Sequence, residues 1–129
     1  MLNEKNIAML VGRILMASLF LWAGVHKFQA LAGTTKYLAN LNVPLPEITV
    51  WIVVAIEVLG GLAILIGFQT RWVALGLALF CLVTGFWVHL PVGDQANMIN
   101  FYKNLAMAGG FLFVYVTGAG ALSVDKDKS

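Results

Sequence analysis

A single carboxylate sits near the middle of a long apolar stretch. From Ile48 to Phe68 the chain is apolar apart from Thr49, its glycines and Glu57. A charge at the centre of a hydrocarbon layer costs about 2.5–3.5 kcal/mol on insertion scales. Glu57 must therefore face the interior of a helix bundle, either paired or protonated. Arg13 is the expected partner. Counted along two antiparallel helices, Arg13 lies about 9 Å and Glu57 about 16 Å from the same membrane edge, a gap two extended side chains can close. Such a pair has two readings: an ion pair that fixes helix register, or a catalytic pair in which Glu57 exchanges a proton and Arg13 handles its charge.

A second group gathers near the opposite edge. His26, Lys27, His89, Lys103 and Asn104 come from three stretches, with Trp87 and Tyr102 close in sequence. A histidine exchanges protons near neutral pH. Cations and aromatics at this depth could bind a polar head whose tail stays in lipid, as a quinone or a phospholipid requires. The same residues also suit an ordinary interfacial belt of Trp, Tyr and Lys. No metal site is expected, because two histidines stand without a His-rich tract or paired carboxylates. Haem would need His26 and His89 at one depth across a cofactor-sized gap. No Gly-rich phosphate loop and no serine, histidine and acid motif is present. The lone Cys81 excludes an internal dithiol relay and reads as a small packing residue.

The elements that must position these residues follow from composition. Of 129 residues 60% are hydrophobic and 11% charged, with mean hydropathy +0.88, whereas soluble domains carry about 25% charged residues. The apolar surface must face lipid. The formal charge is +2 with basic residues scattered singly, so no nucleic-acid partner is expected. The length suits one domain.

A membrane crossing takes roughly 20 helical residues. Four stretches qualify: 7–28, 48–68, 72–90 and 100–118. The first reads as a retained helix, since Arg13 interrupts it and no small-x-small cleavage site follows. The expected fold is an all-α integral membrane protein, an antiparallel four-helix bundle. A short interfacial helix, started by Gly33-Thr34-Thr35 with a threonine cap, lies between the first two spans and stops at Asn42-Val43-Pro44. Phe68-Gln69-Thr70-Arg71 leaves only a tight turn, so the second and third spans are antiparallel neighbours. The tail from Val124 to Ser129 alternates charges and is expected to be solvated.

Four spans put both termini on one side. With that side cytoplasmic, Lys5, Arg13, Arg71, Lys126 and Lys128 lie inside, and Lys27, Lys36 and Lys103 outside. Arg13, Ala17, Phe20, Gly24 and Lys27 form one stripe of the first span, and Glu57 shares a face with Gly60 and Gly61. Small-xxx-small pairs such as Ala8/Gly12 and Ala106/Gly110 offer close packing between helices.

These segments together resemble the DoxX family of small bacterial inner-membrane proteins. The resemblance rests on Arg13-Ile14-Leu15 leading to Phe20-Leu21-Trp22-Ala23-Gly24-Val25-His26-Lys27-Phe28, on Glu57-Val58-Leu59-Gly60-Gly61-Leu62 with Gly67-Phe68-Gln69-Thr70-Arg71, on Phe101-Tyr102-Lys103-Asn104, and on Gly118-Ala119-Gly120 through Asp125. It implies four transmembrane helices, an inner-membrane location and an association with redox work, since the related DoxD protein is a subunit of a thiosulfate:quinone oxidoreductase. This chain has no paired cysteines and no visible thiosulfate site. The reading is a redox-linked subunit that binds a quinone or similar lipid. The alternative is a non-enzymatic membrane component that packs against a protein partner, lipid or a second copy of itself.

Overall fold

The computed structural model describes residues 2–126, which are helical with no strand. In chain order they form α1 (Glu4–Gln29), α2 (Leu31–Asn40), α3 (Pro46–Ile66), α4 (Thr70–Thr84), continued as a π-helix over Gly85–His89, and α5 (Gln95–Thr117). Among the described residues three helices are long and apolar enough to cross a membrane: Glu4–Gln29, Pro46–Ile66 and Thr70–His89. The helix over the expected fourth span, α5, is not among these three, and it starts earlier than residue 100 because Asp94 caps it by accepting the Asn97 N–H at 2.8 Å. That start brings the polar residues before Phe101 into the helix.

The helix ends follow local chemistry. Asn3 caps α1, accepting the Asn6 N–H at 2.9 Å. The loop expected after α1 shrinks to Ala30, whose N–H bonds the Lys27 carbonyl. The threonine cap expected for α2 is therefore not formed. The helix starts at Leu31 with no side-chain cap, and the Thr35 hydroxyl donates back to the Leu31 carbonyl at 2.7 Å. Pro46 opens α3, where a missing N–H costs no hydrogen bond.

Two antiparallel pairs build the core, α1 with α3 and α4 with α5, and α2 lies against α3. The tight turn between α3 and α4 is present, and those neighbours meet where Leu77 covers Gly60. Phe20 of α1 joins the two pairs, with its ring centroid 5.5 Å from Phe111 and 6.5 Å from Phe80. Ala17, Ala74, Ala78, Cys81 and Ala108 surround it, all buried. Small residues suit this core, because lipid gives helices no hydrophobic reason to associate and close van der Waals contact must do it. Trp22, Leu59, Phe113 and Val116 remain outside.

The tail is exposed at Val124 and Lys126, as expected, but it is tethered to the end of α3 and the start of α4. The Val124 N–H donates to the Ile66 carbonyl at 3.0 Å and the Asp125 N–H to the Gly67 carbonyl at 2.9 Å. The Asp125 carboxylate accepts the N–H groups of Gln69 at 2.9 Å and Thr70 at 2.8 Å. The reason lies at the start of α4. Its N-cap Gln69 adopts a left-handed conformation and supplies no side-chain cap, so Asp125 caps the helix from the far end of the chain. Asp127, Lys128 and Ser129 lie outside the described residues.

Candidate functional site

Glu57 is buried, as expected, but its partner is Lys27. The Lys27 Nζ lies 2.9 Å from Glu57 Oε1, out of line for a hydrogen bond, and donates to Oε2 at 3.2 Å. The carboxylate side chain is 7% exposed and the ammonium side chain 33%. The contact depends on Gly24. A Cβ at that position would stand 2.7 Å from Val58 Cγ2, 3.0 Å from Glu57 Cβ and 3.1 Å from the Val58 nitrogen. Glycine lets the two helices cross at the level of Glu57, about one turn from Lys27.

The expected Arg13–Glu57 pair is not formed, and the direction of side chains explains why. Helical side chains lean toward the helix N-terminus. In an antiparallel pair, Lys27 on α1 and Glu57 on α3 lean toward each other. Arg13 leans the same way as Lys27, which from its own level carries it away from Glu57, toward the tail. Gly24 marks the level of Glu57, and Arg13 lies eleven residues further back, about 16 Å along the axis.

Arg13 instead closes α3. Its Nη1 donates to the carbonyls of Ile64 at 3.2 Å and Leu65 at 2.9 Å, and its Nη2 donates to the Leu122 carbonyl of the tail. The last four carbonyls of α3 can be accounted for in full. Ala63 takes the N–H groups of Gly67 and Phe68, Arg13 serves Ile64 and Leu65, and Val124 serves Ile66. A cation at a helix C-terminus also meets the negative end of its dipole. Arg13 is 3% exposed, and its Nε has no hydrogen-bond partner among the described residues.

The remaining candidates are held by different neighbours. His26 is exposed and stacks on Trp22, with ring centroids 5.2 Å apart and planes 6° apart. Lys103 is exposed. Asn104 is buried, donates to the Thr84 hydroxyl at 3.2 Å and packs on Gly85. His89 Nδ1 lies 2.9 Å from Asn97 Oδ1. The Asn97 amide nitrogen donates to Asp94 Oδ1 at 2.9 Å, which leaves its oxygen as the acceptor. His89 must then carry its proton on Nδ1 and leave Nε2 as the free nitrogen in the neutral ring. The backbone N–H and side chain of Asn97 hold Asp94 below the usual carboxylate range.

Asn97 escaped the sequence reading, although Asp94 three residues before it is a recognisable helix-start signal. Thr84 and the capping role of Asp125 carried no local signal.

An apolar groove of about 350 Å³ runs between α1 and α3, lined by Val25, Phe28, Trp51, Val54, Val58 and Leu59 among others, and neither Lys27 nor Glu57 is in its lining. Its residues bracket Lys27 and Glu57 in sequence. The two helices thus carry a half-buried ammonium paired with a buried carboxylate, and a separate slot for an apolar chain.

A buried ion pair between two apolar helices defines an integral membrane protein with a polar site in its helix core. Residues 8–90 match the DoxX family, and the chain belongs to that family. It is 43% identical over 125 residues to the Inner membrane protein YqjF of Escherichia coli (strain K12), covering 95% of this chain and 92% of that one. It is 34% identical over 127 residues to the Inner membrane protein YphA of the same organism, covering 95% and 91%. It is also 32% identical over 120 residues to a Bacillus subtilis (strain 168) protein named "Putative oxidoreductase CatD", covering 93% and 86%. No solved structure matches the chain. Its apolar helices and inner-membrane relatives make it a bacterial inner-membrane protein.

Proposed function

We propose that this protein is a redox-linked subunit of the inner membrane that binds a quinone or similar lipid at the Lys27–Glu57 pair. One observation carries the reading: a buried carboxylate is paired with an ammonium that remains 33% exposed, on two helices that also form an apolar groove of about 350 Å³. A quinone has a neutral ring with two carbonyl acceptors and an apolar tail. Lys27 would donate to a ring oxygen, Glu57 would hold the exchanging proton, and the tail would lie in the groove. His26 and Lys103, both exposed, would contribute to the polar rim, whereas Asn104 and His89 are held by Thr84 and Asn97. Arg13, with its donors given to backbone carbonyls, would act on the charge only by holding α3 in place. The relative named as an oxidoreductase adds support to the redox part of this reading.

The finer topology belongs to the same proposal. The α5 helix is antiparallel to α4 and, at 23 residues, about 34 Å long, enough for a fourth crossing. The termini then share the cytoplasmic side, and α2 lies at the outer surface.

The test is extraction of lipid from the purified protein, followed by chromatography for ubiquinone and menaquinone. Retained quinone in the wild-type protein, lost in Lys27→Met and Glu57→Gln, is the expected result. A wild-type preparation free of quinone would overturn the proposal. It would favour a non-enzymatic membrane component that binds a protein partner or a second copy of itself, a reading supported by the commitment of Arg13 to backbone carbonyls.

A further inference from the structure

A larger trough lies at the end of the molecule that carries α2. Its volume is about 730 Å³, within the roughly 300–1,000 Å³ of small-molecule sites. Its walls include Asn40 and Asn42 on one side and Val83, Phe86, Trp87 and Pro91 on the other, and no charged residue lines it. The residues paired in the site described above are not among them.

The walls are held in place. The π-helical turn, closed by the Leu90 N–H on the Gly85 carbonyl at 3.0 Å, swings Phe86 and Trp87 away from the positions a regular helix would give them. Phe86 is backed edge-on by Phe101 at 5.1 Å. The Trp87 indole N–H is committed to the Leu41 carbonyl at 3.1 Å, so the ring keeps only its face and edge for another molecule. Asn42 sits at φ 60, a left-handed conformation that asparagine tolerates better than most residues. Asn40 and Asn42 are both exposed, so their side-chain amides are open to another molecule.

We propose that this trough binds the uncharged sugar ring of a membrane glycolipid. An amide offers both donors and an acceptor, which suits vicinal hydroxyls that themselves donate and accept. A quinone ring only accepts and would leave both amide oxygens idle. An anionic phosphate head would find no cation here. The aromatic faces suit the apolar C–H face of a pyranose, and the exposed Val83 and Phe86 continue the wall toward the lipid-facing surface for the acyl chains. This site stands apart from the proposed redox role.

The test uses the full chain in phosphatidylcholine nanodiscs with Trp22, Trp51 and Trp72 changed to phenylalanine, so that Trp87 alone emits. All three replaced side chains are exposed. Monoglucosyl diacylglycerol should shift the Trp87 emission saturably, while phosphatidylglycerol and free methyl glucoside should not. Asn40→Ala should weaken the response roughly two- to tenfold, the worth of one hydrogen bond. Val83→Trp, at a position 54% exposed, should fill the trough and abolish retention of the glucolipid, as read by native mass spectrometry. No response to the glucolipid, an equal response to phosphatidylglycerol, or retention unchanged by Val83→Trp would each overturn the proposal.

Discussion

Lys27 and Glu57 meet because Gly24 lets α1 and α3 cross beside them. Each side chain leans toward its own helix N-terminus, and in an antiparallel pair these directions converge. Breaking such a pair on one side strands a charge, while removing both partners does not. Lys27→Met alone should therefore destabilise the protein by about 1–3 kcal/mol, less than a fully buried pair because the ammonium is partly exposed. Lys27→Met with Glu57→Leu should recover most of that loss. Unfolding in mixed detergent micelles reads the difference, and equal losses from the single and double variants would exclude the coupling.

Arg13 and Glu57 should behave independently. Arg13→Leu removes the donors for Ile64, Leu65 and Leu122, at about 1–3 kcal/mol for each buried carbonyl left bare. A loss of about 3 kcal/mol or more is expected. Combined with Glu57→Leu, the effects should add to within about 0.5 kcal/mol. A strong departure from additivity would mean that the two groups interact after all.

Two glycines of α1 should respond in opposite ways to alanine. At Gly24 the added methyl would press on Val58 and Glu57, including the Val58 backbone, whereas at Gly12 it would meet nothing within 4 Å. Gly24→Ala should force the helices apart and lower stability by about 1–3 kcal/mol. Gly12→Ala should be neutral or stabilising by up to about 1 kcal/mol. Thermal unfolding of the two variants side by side decides the matter.

The tail should detach in acid. Burial pushes the Asp125 carboxyl up, but the Thr70 side chain, the N–H groups of Thr70 and Gln69 and the charge of Arg13 outweigh it and hold the group below the usual carboxylate range. A folded pKa below the unfolded one gives a contribution that is complete above the unfolded value and is lost as pH falls through the folded value. Hydrogen exchange at Gln69 and Thr70 should be slow near pH 6 and accelerate below about pH 4, the ordinary carboxylate range. In Asp125→Ala the two amides should exchange fast at both pH values.

His89 should be a pure Nδ1–H tautomer when neutral, because Asn97 offers it an oxygen and Asp94 fixes that amide. Nitrogen-15 shifts of the imidazole in labelled protein report this directly. Asn97→Asp should keep the same tautomer, while Asn97→Leu should release it to a mixture.

Several features were readable from the residues alone. An apolar chain with few charges must be helical in lipid, because every backbone group has to be satisfied internally. The tight turn after Gly67 and the burial of Glu57 follow from the same cost. The redox association came from family resemblance and not from any spacing. Three things were out of reach of the sequence: which cation meets Glu57, that Arg13 serves α3 and the tail, and that Asp125 caps a helix begun 55 residues earlier. Sequence spacing tells which residues share a helix face. The offset between two helices, and the way their side chains lean, are set only when a glycine such as Gly24 brings two backbones into contact.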